Sequence, residues 1–167
     1  TRDEVFISTN SLTKSYGLAG IRVGWVLADP ETVERINRVR DVIYAVGSIP
    51  SETLGVLAFE QLDGLLERAR GVLHPGQAIM REFMAAHPRL EWVQPIGGSV
   101  AFPRIQGVED VGPFVTRAAA DFDVGVTPGS YFGAPAHFRV AVAGERDVLE
   151  DGLAALGRAL TTHFGDV

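Results

Sequence analysis

The sequence predicts an α/β chain that opens at the end of a mostly parallel sheet, runs through connecting helices and closes in a small α+β domain. Three observations carry that expectation. Val5-Phe6-Ile7 is a short continuous apolar run, the pattern of a strand covered on both faces. From Val33 to Leu66 the apolar residues recur at helical spacing. Residues 137 to 143 alternate, with Phe138, Val140 and Val142 on one face and Arg139, Ala141 and Ala143 on the other. The corresponding divisions are 1–28 for the sheet end, 29–75 for the connecting helices and 76–167 for the small domain. A length of 167 residues, 46% hydrophobic, suffices for one ordinary domain with a real core.

Each element has its own warrant. After Val5-Phe6-Ile7 comes a polar loop, Ser8 to Gly20, and then Ile21-Arg22-Val23-Gly24-Trp25-Val26-Leu27, whose β-branched and aromatic content predicts a second strand. Asp29-Pro30-Glu31 offers an N-cap, a first-turn proline and an acidic first turn, so a helix carrying Val33, Ile36, Val39 and Ile43 follows. Gly47-Ser48-Ile49-Pro50 is a break, after which Ser51 is expected to cap a helix with a wide stripe of Leu54, Leu57, Ala58, Leu62, Leu65 and Leu66. His74-Pro75-Gly76 interrupts again, and a shorter helix runs to about His87. Leu90–Val93 and Val100–Phe102, parted by Gly97-Gly98, are expected to form a hairpin. Pro113 to Asp121 predicts a helix, Val124–Val126 a strand, and Thr127-Pro128-Gly129-Ser130 a tight turn. Leu149, Leu153, Leu156 and Leu160 make the stripe of a last helix.

Composition excludes several functions. Fifteen Lys and Arg against 21 Asp and Glu give a net charge of −6 with no dense basic stretch, so this segment is not expected to bind nucleic acid. Zero cysteines exclude a disulfide framework, thiolate metal sites and a cysteine nucleophile. No apolar run approaches the roughly 20 residues needed to span a bilayer, so a soluble protein without a membrane partner is expected. The chain starts at Thr1 and is already strand-like at Val5, so it is expected to begin inside a fold. Among motifs, Lys14 follows Thr13 instead of the glycine that a phosphate-cradling P-loop requires, and Gly17, Gly20 and Gly24 do not make a dinucleotide fingerprint. Gly97-Gly98-Ser99 leads into an extended segment and so fails as a nucleophile elbow. No clustered His and carboxylate set supports a metal.

The loop around Lys14 remains. It offers the hydroxyls of Ser8, Thr9, Ser11, Thr13 and Ser15, one lysine, and Arg22 eight residues beyond that lysine. A guanidinium can grip two phosphate oxygens, hydroxyls can satisfy the others, and a partly desolvated amine can attack a carbonyl. On spacing alone, a solvated loop with a surface lysine is the favoured reading. Arg139 poses a similar choice: a fork beside Ala141 and Ala143 leaves room for a carboxylate, whereas an edge-strand arginine also discourages sheet pairing. Tyr16 and Trp25 read as core or interface aromatics.

Ser11-Leu12-Thr13-Lys14-Ser15-Tyr16-Gly17-Leu18-Ala19-Gly20-Ile21-Arg22-Val23-Gly24-Trp25 resembles the Schiff-base lysine segment of fold type I, class I/II pyridoxal-phosphate-dependent aminotransferases. The likeness continues through Gly97-Gly98 and Phe102-Pro103-Arg104, the loop Pro128-Gly129-Ser130-Tyr131-Phe132-Gly133, and the strand His137-Phe138-Arg139-Val140, so that it covers the whole chain. It implies pyridoxal 5'-phosphate as cofactor and an amino acid and a 2-oxo acid as substrates. By this resemblance Lys14 forms the Schiff base and moves the proton, Ser11 and Arg22 hold the phosphate with Thr13 as a weaker candidate, and Arg139 grips the substrate α-carboxylate. Ser99 and Val100 depart from the family's frequent aromatic pair, which leaves substrate size open.

The resemblance also implies what is missing. The acid for the pyridine nitrogen, the groups at the ring hydroxyl and the stacking aromatic lie upstream of the lysine in this family, so residues 1–28 correspond to the end of the large cofactor-binding domain and the chain to a C-terminal portion. A cytoplasmic homodimer is implied, with Gly47 to Ser51 approaching a partner's site. Two other readings stand beside it: the aminotransferase-like effector domain of a transcription regulator, and another fold type I enzyme such as a β-lyase. A noncatalytic assembly fragment is a third.

Overall fold

The computed structural model describes residues 6–165, and the chain divides into two compact units, Thr1–Ala69 and Arg70–Val167. In the first unit, strand β1 (Ser8–Ser11) pairs antiparallel with β2 (Gly24–Leu27), Ser8 opposite Leu27 and Ser11 opposite Gly24. Val5 of the expected first strand lies outside the described residues. Phe6 and Ile7 are exposed and not in a strand, so the pairing begins in what the sequence marks as loop. A ladder is made by backbone groups, and Ser8-Thr9-Asn10-Ser11 supplies them as well as an apolar run does. The second strand is shorter than expected, because Ala19–Ile21 forms a 3₁₀ turn and Arg22 adopts a left-handed backbone, φ 53°. The expected mostly parallel sheet is thus represented among the described residues of this unit by one antiparallel pair.

Helix α1 (Pro30–Ile43) starts as expected: the Asp29 side chain accepts the Thr32 amide at 3.0 Å and Pro30 sits where no amide donor is needed. Helix α2 (Ile49–Phe59) starts earlier than the sequence suggests. Its cap is Ser48, whose Oγ accepts the Ser51 amide at 3.4 Å, and Pro50 lies in the first turn instead of the preceding break. The expected single stripe from Leu54 to Leu66 is divided at Glu60–Gln61, where the Gln61 amide turns back to the Ala58 carbonyl at 3.0 Å. Helix α3 (Leu62–Ala86) then runs unbroken through Pro75. The bond lost there costs about 3 kcal/mol, and the turns beyond it offset that cost by burying Met80 and Met84 completely or nearly so.

The second unit holds the core. Strands β3 (Leu90–Glu91) and β5 (Arg104–Ile105) pair antiparallel, and β4 (Val100–Ala101), β7 (Phe138–Ala141) and β6 (Thr127–Pro128) form a three-stranded antiparallel sheet in the order β4-β7-β6. The expected hairpin between Leu90–Val93 and Val100–Phe102 is therefore not formed. Register follows burial: Leu90 meets Ile105 and Ala101 meets Val140, all four buried, whereas Val93 and Ile96 are fully exposed. Val124–Val126 is not a strand; the pairing falls on Thr127–Pro128, and Pro128 is tolerated because β6 is an edge. Helix α4 (Gly112–Phe122) forms where Pro113 to Asp121 predicts a helix, and α5 (Arg146–Phe164) carries the expected leucine stripe. Phe138, Val140 and Val142 pack with Phe114, Ala118, Leu156 and Leu160, as the alternation at 137–143 predicts. Gly76 lets α3 approach this sheet, since a Cβ there would collide with the Val142 carbonyl.

Candidate functional site

The first unit brings Ser11, Thr13, Lys14 and Arg22 to one end of the β1–β2 pair. Ser11 is the last residue of β1, and Leu12 is wholly buried, its amide donating to the Val23 carbonyl at 3.1 Å. The Leu18 amide returns to the Leu12 carbonyl at 3.0 Å and the Gly17 amide to the Lys14 carbonyl at 3.3 Å, so the chain folds into a closed loop with Lys14 near its tip. Gly17 has φ 69°, which favours glycine, and Arg68 Nη1 comes within 3.7 Å of where a Cβ would stand. Gly24 is required by close approach: a Cβ there would lie 2.8 Å from the Asn10 carbonyl oxygen and 3.3 Å from Ser11 Cβ.

Side-chain chemistry at this end is cationic and hydroxylic. Ser11 Oγ accepts the Thr13 amide at 3.4 Å and keeps its own proton for another acceptor. Arg22 Nη1 donates to the Ala19 carbonyl at 3.4 Å, and neither Arg22 nor Lys14 enters an ion pair among the described residues. Lys14 is exposed and is the single lysine of the 167 residues, a signal open to inspection in the sequence alone. Of the five hydroxyls expected in the loop, those of Ser8, Thr9 and Ser11 belong instead to β1. Uncompensated positive charge, a free hydroxyl and one amine fit a phosphate-bearing aldehyde.

Arg139 belongs to the second unit. It lies on the exposed face of β7, opposite Thr127 of β6, and its Nη2 donates to Thr127 Oγ1 at 3.4 Å. Its guanidinium carbon lies 5.0 Å from the centroid of the Phe132 ring. Ala141 shares this face, so small side chains leave the fork accessible. The aromatic at 132 and the hydroxyl at 127 were not among the expected site residues. Their signal is their place in Thr127-Pro128-Gly129-Ser130-Tyr131-Phe132, the segment that β6 and the following 3₁₀ turn hold beside β7. Trp25, without a site role, packs edge-on against Phe59 with ring centroids 5.0 Å apart.

The family model for aminotransferase class I and II matches residues 1–156. Capreomycidine synthase of Streptomyces vinaceus is 33% identical over 158 residues, covering 94% of this chain and 41% of that protein. A crystal structure of a PLP-dependent aminotransferase from Streptococcus suis 89-1591 superposes with a TM-score of 0.88 at 28% identity, covering 93% of this chain and 42% of that one. The structure of the PLP-dependent cyclase OrfR gives a TM-score of 0.88 at 28% identity over 93% of this chain and 43% of its own. The chain therefore spans about two fifths of the length of these relatives.

Proposed function

Because the chain belongs to the class I and II aminotransferases, a family whose cofactor is pyridoxal phosphate, we propose that the complete protein transfers an amino group between an amino acid and a 2-oxo acid, with the cofactor held as a Schiff base on Lys14. The observation that supports this reading is the loop itself: the segment that leaves β1 at Ser11 and returns to β2 carries the chain's single lysine and Arg22, with no carboxylate neutralising either cation among the described residues. Arg22 binds the phosphate through its planar fork, Ser11 adds its free hydroxyl proton, and Thr13 contributes less because its amide is engaged with Ser11 Oγ. When bound, pyridoxal phosphate supplies an electron sink that stabilises negative charge at the substrate α-carbon. With that group in place, the Lys14 Nζ would be the residue that accepts the proton from that carbon. Arg139, in the second unit, grips the substrate α-carboxylate through its planar fork in this reading.

Residues 1–167 form part of this enzyme in our reading, since the chain spans only two fifths of the length of its relatives and the family resemblance puts the ring-binding groups upstream of the lysine. The implied cytoplasmic homodimer, with Gly47 to Ser51 at the partner, belongs to the same proposal. The family match and these relatives favour an enzyme over a regulator's effector domain. A second reading, a pyridoxal-phosphate-dependent synthase or cyclase, is favoured by the likeness to capreomycidine synthase and to OrfR. One experiment separates these. Borohydride reduction of the complete protein with pyridoxal phosphate should place the pyridoxyl group on Lys14, and incubation with amino acids and 2-oxo acids should yield exchanged pairs, with negligible turnover by residues 1–167 alone. Labelling elsewhere would overturn the role of Lys14. A rearranged or cyclised product without amino exchange would favour the second reading.

A further inference from the structure

Arg139 is held by an aromatic ring more than by hydrogen bonds. Its protein contacts are the face of Phe132, 5.0 Å from guanidinium carbon to centroid, and the long bond to Thr127 Oγ1. It has no carboxylate partner among the described residues. A guanidinium lying over a ring keeps its N–H edges free, and those edges are what a carboxylate needs for two parallel bonds.

The ring is itself fixed. Phe132 meets Phe102 edge-to-face at 5.6 Å and 88°, and Phe102 stacks on His137 at 4.9 Å and 16°. The backbone behind Phe132 is closed by the Gly129 amide to the His137 carbonyl at 2.7 Å, the Ala134 amide to the Gly129 carbonyl at 2.9 Å and the Gly133 amide to the Ser130 carbonyl at 3.2 Å. Gly129 has no room for a Cβ, which would collide with the Ala134 and His137 carbonyls. Burial does not account for this investment: Phe132 is 50% exposed and stands outside the core cluster.

We propose that Phe132 is a positioning residue for Arg139, and that the row Arg139–Phe132–Phe102–His137 sets the affinity for the substrate carboxylate by presenting the fork already oriented. This rests on the reading of Arg139 as the carboxylate grip. In the complete holoenzyme, using the amino donor that a panel of common amino acids shows to react fastest, Phe132→Leu should raise KM and the inhibition constant of propionate by about five- to tenfold. It should leave kcat within about twofold and the cofactor spectrum and melting temperature near wild type. Phe132→Tyr, which keeps the ring face, should restore both constants. In an Arg139→Ala background, Phe132→Leu should have no further effect, because the ring acts through the arginine. Phe132→Met serves the same comparison where Phe132→Leu fails to fold. An Arg139→Ala enzyme with unchanged KM overturns the reading of Arg139 and this inference with it. A raised KM in Arg139→Ala, together with wild-type constants in the Phe132 variants or a full additional loss in the double variant, overturns the role of Phe132 alone.

Discussion

The two units hold their charged side chains by different means. In the second, Phe138, Met80, Ile105, Leu156 and Leu160 are wholly buried, and Arg139 projects from a strand whose other face is that core. In the first, Leu12 and Ala58 are the buried hydrophobics among the described residues, while Val42, Ile43, Val46, Ile49 and Val56 are each more than 60% exposed. An open groove between the β1–β2 pair and α1 is lined by Trp25, Val33, Ile36, Ile43 and Tyr44. The difference teaches that the geometry of Arg139 is set by a finished core, whereas that of Lys14 is set by backbone closure around one buried leucine.

The sharpest way to break this comparison is to damage each support. Leu160→Ala should cost about 2–5 kcal/mol and lower the melting temperature of the second unit, as a core truncation does. Leu12→Ala should act locally: amide exchange at Leu12 and Leu18, whose bonds close the Lys14 loop, should quicken while amides of β7 and α5 keep their protection. Loss of protection throughout the second unit in Leu12→Ala would contradict the separation. Next in size are the arginines. Arg22→Ala in the complete enzyme should weaken pyridoxal phosphate binding on the order of a hundredfold, and Arg139→Ala should raise KM by a similar factor with the cofactor retained. Equal cofactor loss in both variants would show that the two units do not divide the ligands as described.

The smallest effect concerns acid. Hydrogen bonds from Thr32, side chain and backbone, hold the Asp29 carboxyl below the ordinary carboxylate range. Its folded value is depressed, so its contribution to α1 is present above the unfolded value and is lost as pH falls through the folded one, that is below about pH 4. Glu91 carries the same sign in the second unit, lowered by hydrogen bonds from Gln106 and then Arg104. In Asp29→Asn, helical signal from α1 should lose this acid step while the melting of the second unit keeps its own. An unchanged acid profile in Asp29→Asn would assign the step elsewhere.

Where one face of an element is buried, the sequence was readable. The alternation at 137–143 and the stripe of Leu149, Leu153, Leu156 and Leu160 translate directly into β7 and α5, because pattern and burial there are the same fact. Legibility fails where pairing rests on backbone alone, as in Ser8–Ser11 and Thr127–Pro128, and where apolar residues are left exposed, as at Phe6, Val93 and Ile96. Pro75 shows a third failure, a local breaker overruled by the burial of residues beyond it. Spacing alone favoured a solvated loop at Ser11, Thr13, Lys14 and Arg22, and only the family resemblance singled those residues out. Phe132 was not legible, since its meaning depends on a register, Thr127 opposite Arg139, that no local pattern encodes.

The left-handed backbone of Arg22 sets two selective pressures against each other. At φ 53° an L side chain is strained and glycine is not. A search for thermally robust variants would drift toward glycine at position 22, relaxing the turn between the 3₁₀ segment and β2 while discarding the guanidinium. On the role proposed for Arg22, ordinary stabilising design would erode ligand retention here, so that foldability and function would pull this position in opposite directions.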